Sequence, residues 1–150
     1  MYNHILIATD GSDLADKAVI HGLALAQAVH SKVTLLTVSE PMWSAVPGEM
    51  AIAFPHDEYE KSTAAKAEII LASVADAAKS RGVGYTTKHS KEQFPAEGII
   101  AAAQECCCDL IVMASHGRRG LAKLVLGSQA AKVVTSSTVP VLIYREAVSG

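Results

Sequence analysis

Three stretches of this chain read as buried strands, residues 4–9, 33–38 and 110–114, and residues 139–144 as a further apolar strand. Strands buried on both sides, as in a parallel sheet, have this character. Between the first two, Leu14, Ala18, Gly22, Leu23, Ala26 and Val29 recur at helical spacing and give a sheet-facing stripe to about His30. Ser12 fits the N-cap of that helix, with Asp13 and Asp16 in its first turn complementing the dipole. A longer helical pattern covers residues 57–80, with Ala67, Ile70, Leu71, Val74 and Ala78 inward, and Arg81-Gly82 ends it. Residues 85–89 alternate weakly and predict a polar edge strand. Pro95 suits the first turn of the next helix, which carries Ile99, Ile100 and Ala103 on its inner face and runs to about Cys107. A last helix is expected over residues 129–136. Pro140 cannot donate to a ladder, so it belongs at the start of the final strand or on a sheet edge. Strand and helix alternate throughout, which predicts a parallel α/β domain over residues 1–150.

The pattern lapses over residues 39–55. Pro41, Pro47, Gly48 and Pro55 break both periodicities amid the apolar Met42, Trp43, Val46, Met50, Ile52 and Phe54. Long loops of this kind are functional or mobile as a rule. A lid, a partner contact and a cover over the first helix layer all suit the composition.

Composition narrows the classes. At 150 residues the chain is one domain with room for a core. Half of it is hydrophobic but only 5% is aromatic, so that core must be aliphatic and alanine-rich. The 13 basic and 15 acidic residues leave a net charge of −2, with no basic run beyond Arg118-Arg119. This argues against a nucleic-acid partner. No apolar stretch reaches the roughly 18 residues of a membrane span, and no signal-peptide pattern opens the chain. A cytoplasmic protein with no membrane partner is expected. The cysteines are adjacent, Cys106, Cys107 and Cys108, and neighbours on a helix point different ways. A shared metal site is therefore not expected, and a structural role near a helix end is. His4, His21, His30, His56 and His89 are scattered without metal-ligand spacing.

The candidate chemistry lies after residue 114. An apolar run ends there, a polar glycine-containing loop follows from Ser115 to Gly120, and Gly127-Ser128 opens a helix. Strand, glycine loop and helix start make a device for holding phosphate. Glycine lets backbone approach a ligand, and the first-turn N–H groups favour an anion. Ser128 adds a donor, and Arg118, Arg119 and Lys123 add charge. The same spacing also suits a surface loop that merely caps a helix. Asp10, ending the first strand, is a turn-former or a ligand to ribose or metal. His116 faces either phosphate or solvent.

The loop resembles the Gly-x2-Gly-x9-Gly-Ser/Thr motif of the universal stress protein family. Gly117, Gly127 and Ser128 match it, while Ala114 stands at its first glycine and adds a methyl. The resemblance runs from Ile5-Leu-Ile-Ala-Thr-Asp10-Gly-Ser12 to Val139-Pro-Val-Leu-Ile143. It implies an open five-stranded parallel sheet in the order 3-2-1-4-5 with helices on both faces, Rossmann-like and similar to the adenine nucleotide alpha hydrolase-like group. Winding then reverses between the first and fourth strands, and ligands bind at such a switch point. The resemblance further implies ATP as ligand. Its adenine would meet the backbone of Val38, with Ala8 and Thr9 lining the pocket and the ribose between Asp10 and Ala114. The triphosphate would lie over Gly117, among His116, Arg118 and the helix start at Gly127, Ser128 and Gln129. Mg²⁺ would be held mainly by phosphate, with Asp10 as its one carboxylate. A homodimer through residues 139–144 is implied as well.

No catalytic residue is assigned. The chain lacks Gly-x4-Gly-Lys-Ser/Thr, His-Glu-x2-His and Gly-x-Ser-x-Gly, and Asp10-Gly-Ser-Asp13 does not match the loop of ATP pyrophosphatases. Three readings follow: an ATP-binding stress-response module, a family member acting by protein interaction without nucleotide, and a weak ATPase.

Overall fold

Five strands form one sheet in the order β3-β2-β1-β4-β5: β1 (His4–Ala8), β2 (Lys32–Val38), β3 (Tyr85–Ser90), β4 (Leu110–Ala114) and β5 (Val141–Tyr144). The computed structural model describes residues 1–117 and 126–147, apart from the side chain of Ala51. All strand pairs are parallel, so each return to the sheet passes through helix. These helices are α1 (Asp13–Val29), α2 (Met42–Ala45), α3 (Gly48–Ala53), α4 (His56–Ser80), α5 (Pro95–Glu105) and α6 (Ser128–Ser136).

Side-chain alternation sorts the core into two layers. Ile5, Ile7, Val33, Leu35, Leu110 and Val112 pack with residues of α1 and α4. Leu6, Ala8, Leu36, Ile111 and Met113 pack with residues of α5 and α6. The central strands β1 and β4 are thus apolar on both faces, as their uniform sequences predict. The edge strand β3 exposes Tyr85, Thr86 and Thr87. Gly22 brings α1 down onto the centre of the sheet. A Cβ there would stand 2.7 Å from Ile7 Cδ1 and 3.2 Å from Val112 Cγ1, so any larger residue would force the Ile7 side chain to shift.

Residues 39–55 differ from the expected irregular loop, because they hold α2 and α3. The prolines read as breakers are start signals: Pro41, Pro47 and Pro55 are the N-cap residues of α2, α3 and α4. A proline costs nothing at a helix start, where its missing N–H would have no intrahelical partner. The final strand is shorter than residues 139–144. Pro140 precedes it, and its carbonyl accepts a bond from Ile111 N at 3.0 Å.

Three crossover helices end in one way. Beyond α1, α4 and α5 a single residue turns left-handed: His30 (φ 58°), Gly82 (φ 67°) and Cys107 (φ 54°). The following N–H returns to the helix, from Ser31 to Ala26 O (2.9 Å), Val83 to Ala78 O (3.0 Å) and Cys108 to Ala103 O (2.8 Å). This is the Schellman arrangement, which ordinarily calls for glycine. Only α4 has one. Cysteine at position 107 carries the steric cost of the left-handed region, about 1–2 kcal/mol for a residue with a Cβ. Cys107→Gly is therefore expected to stabilise the fold by about 1 kcal/mol. Urea unfolding should show a raised midpoint at unchanged slope.

Candidate functional site

Chain direction makes the site. From β1 the chain crosses to β2 on one side, and from β4 it crosses to β5 on the other. The winding therefore reverses between β1 and β4, and in an open α/β sheet the carboxyl ends of two such strands flank the ligand crevice.

On the β1 side the backbone is locked before it turns. Thr9 N donates to Leu36 O at 2.9 Å, and the buried Thr9 Oγ1 accepts from Gly11 N at 3.1 Å. Gly11 takes φ 78°, which its lack of a Cβ permits. Asp10 Oδ1 then accepts from Ser12 N at 3.0 Å, and Ser12 Oγ caps α1 by accepting from Ala15 N at 3.3 Å. Asp10 is thus a turn-former through Oδ1. Its Oδ2 lies against Gly117 across the crevice, where a Cβ on the glycine would come within 2.5 Å. Burial, then the carboxylates of Asp13 and Asp10, hold Asp16 above the usual range, so negative charge is concentrated at this end of α1.

On the β4 side the central residue is Ser115, which is buried. Its N–H donates to Tyr144 O at 2.9 Å, and its carbonyl accepts from Gly127 N at 2.8 Å. Gly127 has φ −58° and ψ 154°, open to any residue, so space is what requires glycine there. A Cβ would sit 3.1 Å from Ser115 O and 3.2 Å from His116 Cα. Gly127 is also the N-cap of α6 and offers no side-chain acceptor to the first turn. The positive end of α6 therefore lies beside Ser115, at the carboxyl end of β4. His116 is half-buried, with Nδ1 3.2 Å from Ser115 Oγ.

The structure brings Thr9, Asp10, Ala114, His116, Gly117, Gly127 and Ser128 to this one end of the sheet. Ala8 lies below them in the α5–α6 layer. Val38 ends the adjacent strand on the same face, against α5. A Cβ on Gly98 would be 2.9 Å from both Val38 methyls, so glycine there lets α5 close on this strand end. Two of the expected site residues have side-chain contacts elsewhere in the fold. The Gln129 carboxamide is turned from the crevice, and its Oε1 accepts from Ala96 N at 2.9 Å. It caps α5, whose own N-cap, Phe94, makes no side-chain bond. The Ala114 methyl lies in the opposite layer from α6, packed with Leu14 and Ala18 of α1. Arg118, Arg119 and Lys123 lie outside the described residues.

Ser115 escaped sequence reasoning because its backbone carries the role, and only its place after the apolar run hinted at it. Elsewhere, the histidines have local partners: His4 Nε2 with Thr34 Oγ1 (2.8 Å), His89 Nε2 with Ser39 Oγ (2.7 Å), and His21 edge-on to Tyr144. His56, contrary to the sequence spacing, shares one exposed corner with Asp57 and Glu60, their ligand atoms within 4.8 Å. The carboxylates there complement the start of α4, and His56 bonds Glu92 at 3.1 Å. Among the described residues the cysteines form no such group. Burial pushes the Cys108 thiol up to about 12, which makes it an inert core residue.

A sequence profile described as the Universal stress protein family matches residues 1–145. The chain belongs to the universal stress protein family. It is 35% identical over 145 residues to a universal stress protein of Thermus aquaticus, covering 97% of this chain and 100% of the relative. Among solved structures, MJ0577 of Methanocaldococcus jannaschii superposes with a TM-score of 0.83 at 26% identity, over 99% of both chains. A universal stress protein crystallised with cAMP superposes at 0.71 with 27% identity, over 96% of this chain and 97% of that one. The expected strand order is the family's, and no described helix is long and apolar enough to cross a membrane.

Because the Ala114 methyl is a packed core group, Ala114→Gly should cost about 1–2 kcal/mol, the sum of a buried methyl and a more flexible backbone. Urea unfolding of the two proteins measures it.

Proposed function

We propose that this protein binds ATP at the β1–β4 crevice and serves as a nucleotide-responsive regulatory module. One observation carries the reading: Asp10 meets Gly117 across the switch point, beside a helix start whose N-cap has no side chain. Open N–H groups attract phosphate, and Gly117 leaves room for it over the loop. The base would lie toward Val38 and the ribose beside Asp10. Mg²⁺ suits the negative charge gathered by Asp10, Asp13, Asp16 and a triphosphate, held mainly by phosphate oxygens. The relative crystallised with cAMP supports an adenine nucleotide as the ligand class. The assigned role is binding, with ATP hydrolysis no part of it.

Calorimetry with ATP and Mg²⁺ tests the proposal. Wild type should bind one ATP per chain. Ser128→Ala should lose a charge-assisted hydrogen bond of about 1.5–3 kcal/mol, weakening affinity roughly tenfold to a hundredfold. Gly117→Val, which places a side chain where Asp10 Oδ2 leaves 2.5 Å, should abolish binding with the fold intact. Ala114→Gly should bind as wild type does, since that methyl faces α1. Equal binding by wild type and Gly117→Val would put the ligand elsewhere.

The module is proposed to act as a homodimer through β5. Among the described elements this strand pairs on one side only, with β4, and Leu142 is 38% exposed on it. An apolar sheet edge calls for a partner strand. Sedimentation should give a dimer at micromolar concentration, and Leu142→Lys should shift it toward monomer.

A further inference from the structure

We propose that Trp43 of α2 is a base-contacting residue, covering the ligand's purine ring at the Val38 end of the crevice; the inference rests on the nucleotide reading above. It follows from a chain of contacts. Val38 touches Gly98, where an added Cβ would stand 2.9 Å from its methyls. Gly98 N donates to Phe94 O at 3.0 Å, one helical turn away. Phe94 in turn meets Trp43, ring centroids 5.6 Å apart and planes at 78°. The indole is thus linked to the residue assigned to the base through the Phe94 ring and the first turn of α5.

The segment that delivers it is anchored at its root. Ser39, directly after Val38, donates to Ser90 O at 2.8 Å and accepts from Gln93 N at 3.3 Å. Two β3-side bonds therefore fix where α2 begins. Phe94 is tied to the phosphate end too, because Gln129 of α6 holds Ala96 N two residues further on. Base end and phosphate end are thereby joined through α5.

Exposure is the second observation. Trp43 is 69% exposed and meets Phe94 with the two planes at 78°, so most of the indole is open to water. An aromatic face at the rim of a nucleotide crevice suits a heteroaromatic ring, since base–aromatic stacking contributes on the order of tenfold or more in affinity. A triphosphate without a base gains nothing from it.

Trp43 is the chain's single tryptophan, so its emission reports on it alone. Titration with ATP and Mg²⁺ should change that emission saturably, with the dissociation constant found by calorimetry. Trp43→Ala should weaken ATP about tenfold, leave inorganic tripolyphosphate unaffected, and keep the wild-type circular dichroism. Trp43→Phe should restore most of the loss. Calorimetric ATP binding with silent emission and undiminished affinity in Trp43→Ala overturns the inference and leaves the nucleotide site standing. Equal weakening of ATP and tripolyphosphate overturns it as well, since the effect would then not involve the base. No ATP binding by wild type overturns the nucleotide reading and this inference with it.

Discussion

Gly127 and Ser115 stand so close that only a hydrogen bond fits between them. The 2.8 Å bond from Gly127 N to Ser115 O closes the loop after β4, and a Cβ on Gly127 would crowd that same carbonyl. This approach fixes where α6 begins relative to the sheet. With α6 placed, its Ala130 and Val133 complete the layer over Leu6, Ile111 and Met113, and its Gln129 reaches the start of α5. One glycine position therefore sets both a layer of the core and the direction of a helix dipole.

The two serines at helix starts are used in opposite ways. Ser12 stands at the N-cap of α1, where its hydroxyl satisfies Ala15 N. Ser128 stands one residue inside α6, and Gly127 holds the cap position without an acceptor. A capped start contributes about 1 kcal/mol to stability relative to an alanine there. α1 takes that contribution in full, and α6, with glycine at its cap, falls only a few tenths of a kcal/mol short of it. The sheet compensates: Ala130 and Val133 are buried, so tertiary packing holds the helix that its own cap does not.

Periodicity read well wherever burial was complete. β4 has the bounds expected of it, and α1 begins after Ser12 and ends before His30, because apolar runs and a capping hydroxyl are local signals. The strand order needed the family motif, since any right-handed arrangement of five strands satisfies the same local pattern. The segment before α4 was misread because proline both interrupts periodicity and begins helices, and spacing alone does not separate the two uses. At the site, Asp10, Gly117 and Gly127 were legible as residue types that turns and close approaches demand. Ser115 was not, for a backbone role leaves no mark on the side chain. Gln129 was placed on the right helix, but its partner lies 33 residues earlier, in a contact only the folded chain creates.

Ser115 also joins two surfaces that look unrelated in sequence. Its N–H is bonded to Tyr144 O on the edge strand, and its carbonyl to Gly127 at the head of α6. The same end of β5 is also held to α1, through His21 against Tyr144 and Lys17 paired with Glu146. β5 is therefore bonded to a peptide unit whose other side positions the start of α6. By thermodynamic linkage such a connection works in both directions and with equal magnitude. If the proposed nucleotide and the proposed partner strand both bind, the peptide of this one serine connects the two sites, and any influence of one on the other's affinity must be returned in equal measure.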